Sequence, residues 1–287
     1  MIRAAAWPAR ALLLSAALCV LLWPLVHAVW LSFAPGELLE APTGEWSLRW
    51  YHSFFTSPRW TGGLANSLWV ASLSALIAVL LGTGLALGMA HAHTDERAGD
   101  GEFNARSSGL LARVVLLPLF IPPVVLGMAL LPLMRALGLW GHLVSLAFAH
   151  ALLGLPVVYL AVRDALQALD PDLSRAARGL GASASMTLWR VTLPPLVPAI
   201  VFGALMAFVF SLNEFVIALF LATPAIETLP KVIWPNLRYT LTPIVAAAST
   251  VAVVFSLLLL AVTLLLRRWA AAWGGALLDH ARPSRTD

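Results

Sequence analysis

The feature that most constrains this chain is the alternation of long uncharged apolar stretches with short segments that carry its charges. A helix needs about 20 apolar residues to cross the hydrocarbon core of a bilayer. Six stretches reach that length, roughly residues 11–33, 65–90, 114–134, 143–162, 196–221 and 243–266. Of the 287 residues 60% are hydrophobic and 11% are charged, against about 25% charged in soluble domains. A water-soluble fold could not cover that much apolar surface with so few polar groups. The predicted fold class is therefore an all-α integral membrane protein with about six transmembrane helices. Arg3 and Arg10 precede the first stretch, as in a secretory signal. It is too long for a typical signal core and has no clear small-x-small cleavage site, so it reads as a retained anchor.

Orientation follows from Arg and Lys, which accumulate on the cytoplasmic side. With the N-terminus in the cytoplasm, that side holds Arg3, Arg10, Arg97, Arg106, Arg113, Arg163, Arg175, Arg178, Arg190, Arg267, Arg268, Arg282 and Arg285. The other side holds Arg49, Arg59, Arg135, Lys231 and Arg238. Thirteen against five predicts that both termini are cytoplasmic. Trp30, Trp46, Trp50, Trp60 and Trp234 fall near outer ends, where interfacial anchors belong. The net charge of +4 is thus a topology signal. The arginines form no basic stripe among aromatics, which argues against a nucleic-acid partner. Membrane lipid is the expected surrounding.

Pro24 lies in the first stretch and Pro118, Pro122 and Pro123 in the third, so both helices are expected to be interrupted. Gly84-x-x-x-Gly88 is spaced for close helix contact. Cys19, the single cysteine, can form no disulfide within the chain and reads as a small core residue.

The most informative polar segment is 167–197, between the fourth and fifth stretches on the predicted cytoplasmic side. Asp170 is a good N-cap, Pro171 suits the first helical position, and Asp172 puts negative charge at the positive end of the helix dipole. Leu173, Ala176, Ala177 and Leu180 recur at i, i+3, i+4 and i+7 and form one apolar stripe. Gly181 can take the left-handed conformation that stops a helix. A second short helix is expected to begin at Ser183 or Ser185 and end near Pro194. An apolar stripe in the cytoplasm needs a cover, either its own bundle and the lipid surface or another protein.

Arg175-Ala176-Ala177-x-x-x-Gly181, nine residues, then Val191-x-Leu193-Pro194 resembles the cytoplasmic signature of binding-protein-dependent ABC importer permeases of the type I fold. The usual form is Glu-Ala-Ala-x-x-x-Gly, nine residues, then Ile-x-Leu-Pro; here Arg175 replaces the glutamate and Val191 the isoleucine. Asn66-Ser67 at the second stretch and Leu117-Pro118 through Pro122-Pro123 in the third are similar to these permeases as well. Ser211-Leu212-Asn213-Glu214-Phe215, then Thr228-Leu229-Pro230 and Pro243, resembles the polyamine (spermidine/putrescine) subgroup. The resemblance implies that segment 167–197 is a coupling helix docking in a groove of an ATPase, with Arg175, Ala176, Ala177, Leu180, Gly181, Leu193 and Pro194 as the coupling residues. It also implies a dimer of ATP-binding subunits, a second related permease or a second copy, and an external solute-binding protein. The expected organisation is an N-terminal helix with an external segment over 1–64, a five-span core over 65–268 and a cytoplasmic tail over 269–287.

Glu214 is the one carboxylate inside a predicted span. An acid at membrane depth costs a few kcal/mol and faces a cavity or a partner. With Ser211 and Asn213 it forms the expected substrate path for a small polar solute, a polyamine-like cation first; a structural acid near a helix end is the bland alternative. His91 and His93 are poorly spaced to share a helix face and read as a solvated loop end. No metal-ligand or Ser/His/Asp arrangement stands out. There is no Gly-x-x-x-x-Gly-Lys-Ser/Thr loop, so ATP and Mg are expected on a partner, with no cofactor and no catalytic residue in this chain. The competing reading is an ion-coupled secondary transporter, which would explain the spans and Glu214 but not the loop. Such carriers often show two similar halves, and no convincing internal repeat is present.

Overall fold

In a computed structural model of the chain, backbone is described for residues 2–95 and 101–280, and side chains for 10–90 and 109–265. The expectations for Arg3, His91, His93, Arg97, Arg106, Arg267, Arg268, Arg282, Arg285 and the tail fall outside the described side chains. The elements are all helical: α1 (Ile2–Leu31), α2 (Arg49–Thr56), α3 (Pro58–Asp95), α4 (Gly101–Leu116), α5 (Pro123–Ala136), α6 (Leu143–Gln167), α7 (Pro171–Gly179), α8 (Ala184–Thr187), α9 (Leu193–Asn213), α10 (Val216–Leu221), α11 (Leu229–Tyr239) and α12 (Ile244–His280). Among the described residues five helices are long and apolar enough to cross a membrane, and a bent pair, Gly109–Leu119 with Pro123–Ala136, makes a sixth candidate. That pair turns through 104°. Leu117–Leu119 tightens into a 3₁₀ turn, and Pro118, Pro122 and Pro123 each lack an N–H, so the α-helical ladder cannot run through.

Packing divides the chain into two units, Met1–Leu64 with Leu229–Phe255, and Ala65–Thr228 with Ser256–Asp287. In the first, no residue of the Arg10–Leu31 part of α1 is buried by the rest of the chain, as suits a helix solvated by lipid. Helix α2 buries Trp50 and Phe54. Trp50 Nε1 donates to Gly36 O at 3.2 Å, and Tyr51 and Ser32 share a hydroxyl bond of 2.7 Å. Helix α11 buries Leu229 and Val232, and a Cβ on Gly63 would lie 2.9 Å from Val232 Cγ2.

The second unit is built on three helices in close contact. A Cβ on Gly154 (α6) would lie 2.7 Å from Ala207 Cβ (α9) and 3.3 Å from Ala78 Cβ (α3). One turn along, a Cβ on Gly82 would lie 3.0 Å from Val158 Cβ, and one on Gly203 would lie 3.0 Å from Val158 Cα. Small residues thus bring the backbones together, which is how helices associate where lipid removes the hydrophobic driving force. The rungs also fix directions. Positions 78 and 82 pair with 154 and 158 in rising order, so α3 and α6 are parallel. Positions 154 and 158 pair with 207 and 203, so α6 and α9 are antiparallel. Two parallel spans require an odd number of crossings between them, and the bent pair α4–α5 supplies the return. Around these rungs one apolar cluster holds Ala75, Ala78, Val158, Val162, Leu196 and Ala207, and another Val70, Leu146, Ala147, Ile217, Ala218 and Leu221.

Several local expectations need correction. Pro24 does not interrupt α1, which runs unbroken from Ile2 to Leu31. Cys19 is exposed, on the face of a helix the chain does not cover. Trp50 and Trp60 are buried in packing, not displayed at an interface. A Cβ on Gly84 or Gly88 would meet nothing within 4 Å; the close contacts belong to Gly82, Gly154 and Gly203. The second short helix does not end near Pro194. Helix α8 passes through a π turn, Leu188–Thr192, into α9 as one 30-residue span candidate. Pro194 and Pro195 remove two consecutive donors, and the π turn, with Leu193 N–H on Leu188 O, absorbs the mismatch. The fifth apolar stretch is likewise not one helix: it breaks at Glu214.

Candidate functional site

Two regions of the second unit carry the polar chemistry. In the loop, Asp170 caps α7 by accepting the Asp172 N–H at 2.9 Å. Pro171 and Asp172 fill the first turn. Arg175 Nη2 lies 3.0 Å from Asp172 Oδ1, both exposed, a pair worth a few tenths of a kcal/mol. At the other end Gly181 takes φ +89°. Its N–H donates to Arg178 O at 3.0 Å, and Ala182 N–H donates to Ala177 O at 3.1 Å, the paired bonds of a Schellman stop. Ser183 then caps α8 by accepting the Met186 N–H at 3.2 Å. Local chemistry alone thus shapes a helix, a sharp turn and a second helix.

The apolar stripe on α7 is left uncovered by its own chain. Leu173 is 53% exposed and Leu180 90% exposed. Ala176 is exposed and Ala177 half-buried. On the continuation, Met186 and Trp189 are also exposed. The structure brings Arg175, Ala176, Ala177, Leu180 and Gly181 together on α7 and its turn. Leu193, half-buried, and exposed Pro194 stand at the start of α9.

The second region is the break after α9. Helix α9 stops at Asn213, Glu214 is extended (φ −74°, ψ 119°), and its N–H donates to Ser211 O at 3.3 Å. The Glu214 carboxylate, half-buried, accepts the Ile217 N–H at 2.8 Å through Oε1. It satisfies an orphan donor at the start of α10. Glu214 is therefore at a helix junction and not, as expected, within a continuous span. Asn213 is exposed, and its Nδ2 folds back to donate to Val209 O at 2.8 Å. Ser211 points the other way: its Oγ lies 2.9 Å from His150 Nδ1 on α6. The three side chains proposed for one path thus have three different partners.

His150 is the residue sequence reasoning missed. It is 1% exposed, and the signal was available as an ionisable side chain inside an uncharged span. Among the described residues no three His, Cys, Asp or Glu side chains come together as a metal-binding group.

The family model for "Binding-protein-dependent transport system inner membrane component" matches residues 84–273. The putrescine transport system permease protein PotI of Escherichia coli (strain K12) is 30% identical over 249 residues, covering 85% of each chain. The molybdenum transport system permease protein ModB of Mycobacterium tuberculosis (strain ATCC 25618 / H37Rv) is 34% identical over 187 residues, covering 60% of this chain and 64% of that one. Among solved structures, a bacterial alginate ABC transporter in complex with alginate pentasaccharide-bound periplasmic protein covers 90% of this chain and 92% of its own with a TM-score of 0.67. At 16% identity that likeness shows the fold.

The fold and these matches define an ABC importer permease of the type I fold. The chain belongs to the family of binding-protein-dependent transport system inner membrane components, and within it resembles the polyamine permeases. It is the permease subunit of such an importer, and permease components of this family carry no ATPase site of their own.

Proposed function

We propose that the chain forms half of a pore that admits a small organic cation, a polyamine first, to the cytoplasm by alternating access, driven by ATP and Mg bound on a dimer of partner ATPase subunits. The other half is a related permease or a second copy, and an external solute-binding protein delivers the cargo. The observation that carries the coupling half of this reading is the stripe on α7: apolar, capped at both ends, and open at Leu173 and Leu180. Arg175, Ala176, Ala177, Leu180 and Gly181 form the docking turn, and Leu193 and Pro194 carry its movement into α9. Both termini are cytoplasmic in this reading. A reporter after Arg268 and one near Thr43 then report opposite sides, since five crossings separate them.

The choice of cation is supported by Glu214, whose charge at a helix junction attracts cations and repels anions, and by the longer match to PotI. The match to ModB supports a different cargo class. Uptake of labelled putrescine and of molybdate into vesicles holding the full importer separates them. Uptake of the diamine, with ATP hydrolysis only when the ATPase subunits are present, is the expected result. Uptake of the oxyanion overturns the cation, and hydrolysis by this chain alone overturns the division of labour.

A further inference from the structure

The break at Glu214 sits against one face of α6, and that face holds both sides of it. On the α10 side, Ile217, Ala218 and Leu221 are buried in one cluster with Leu146 and Ala147 of α6. On the α9 side, one turn along α6 from those residues, His150 Nδ1 meets Ser211 Oγ at 2.9 Å. The bond lies on the rung next to Gly154–Ala207, where the α6 and α9 backbones are already close. The Ser211 carbonyl in turn accepts the Glu214 N–H at the point where α9 ends. His150 Nε2 pairs with nothing among the described residues, so the Nδ1 bond is the ring's polar anchor there. An unpaired lone pair is tolerated better than an unpaired buried N–H, which puts the ring proton on Nδ1, donating to Ser211 Oγ.

We infer that His150 is a positioning residue: through Ser211 it fixes where α9 stops, and so where the Glu214 carboxylate is held. Helix α6 acts as the template for the break, with apolar packing on one side and a single hydrogen bond on the other. Burial in a span where water cannot compete makes that bond persistent. The consequence for transport rests on the reading that Glu214 lines the substrate path; the positioning itself does not.

The test uses the full chain assembled with its ATPase subunits and pore partner in lipid nanodiscs. Three variants are compared: His150→Leu, which removes the bond; His150→Asn, whose amide can donate in place of Nδ1–H; and Ser211→Ala. Amide hydrogen exchange over residues 212–221 is expected to quicken about fivefold to tenfold in His150→Leu and Ser211→Ala, the weight of one hydrogen bond. It returns towards the parent rate in His150→Asn, with α3 and α6 unchanged. The double variant His150→Leu/Ser211→Ala is expected to match the singles, since both remove one bond. Unchanged exchange in folded Ser211→Ala, or additive effects in the double variant, overturns the proposal. Should His150→Leu fail to fold, Ser211→Ala, the milder change, decides alone. Uptake in vesicles gives the second readout, with maximal rate expected to fall more than apparent affinity. If exchange responds as stated while Glu214→Gln and Ser211→Ala leave uptake per molecule unchanged, the positioning stands and Glu214 leaves the substrate path.

Discussion

The α7 loop and the α9–α10 break are each punctuated by a polar residue and a change of backbone direction, yet they resolve their chemistry in opposite ways. In the loop, backbone groups are satisfied by local caps at Asp170, Gly181 and Ser183, and the apolar side chains are left open. At the break, the polar side chains of Ser211, Asn213 and Glu214 all find partners within the chain, and Ile217, Ala218 and Leu221 are packed on one side of α10. The loop is complete in shape and incomplete in burial, which is what the proposed docking surface requires. The break has its polar side chains paired and one face of α10 packed, which is the condition of a built-in joint. Two glycines repeat the contrast: Gly154 is needed because there is no room for a side chain, Gly181 because its φ of +89° disfavours one although the space around it is open.

Substitutions at those glycines should break the comparison most sharply. Gly154→Val forces atoms into a gap already 2.7 Å from Ala207 Cβ. Overpacking of this kind costs about 3 kcal/mol, and we expect the folded protein recovered from membranes, measured by monodisperse yield in detergent, to collapse. Gly181→Val meets only backbone strain of about 1–2 kcal/mol, so membrane levels should stay near normal while coupled uptake falls. Leu180→Asp is the next largest effect. A charge forced into an apolar contact costs about 2–3 kcal/mol, so uptake should drop on the order of a hundredfold, with α7 itself intact. Normal uptake in both loop variants would remove the docking surface.

The break offers a finer test. Glu214→Gln keeps an oxygen that can accept the Ile217 N–H and removes the charge, whereas Glu214→Ala removes both. If the charge serves transport, Glu214→Gln should slow cation uptake several-fold at unchanged yield, and Glu214→Ala should also lower thermal stability by about 1 kcal/mol. Equal uptake in Gln and parent, with loss only in Ala, would make Glu214 a cap and nothing more. The smallest effect is expected at Asp170→Ala, which costs α7 about 1 kcal/mol of capping. It should reduce uptake a few-fold by fraying the helix, and Asp170→Asn or Asp170→Ser should recover it.

What was readable in the sequence follows the range of the interactions. The α7 caps, the stripe and the Gly181 turn depend on neighbours within a few residues, and all appear as the spacing implied. The apolar spans were readable by length, and the prolines near 118–123 announced a break, though not its 104°. The break at Glu214 was not legible, because the apolar run continues on both sides and only packing against α6 shows where α9 stops. The His150–Ser211 bond joins residues 61 apart in sequence, beyond any local pattern. The close helix contact was sought at Gly84 and Gly88, where the spacing is right, and found at Gly82, Gly154 and Gly203, because which face of a helix turns inward is decided by its neighbours.

The π turn at Leu188–Thr192 has a consequence for phase. Each residue of a helix advances the side-chain direction by about 100°, and a π turn holds one residue more than the α-helical count. Faces assigned on α8 therefore do not carry over to α9 by counting; they slip by about one position across the turn. Removing a single residue within 188–192 would let the turn close as an ordinary α-helical one, with the faces on either side left in nearly their present directions. Drawing the same residues into α-helical register without a deletion would instead swing α7 and its turn round the axis of α9 by about a quarter of a circle. The wide turn is thus what keeps α7 and α9 at their present angle despite the extra residue.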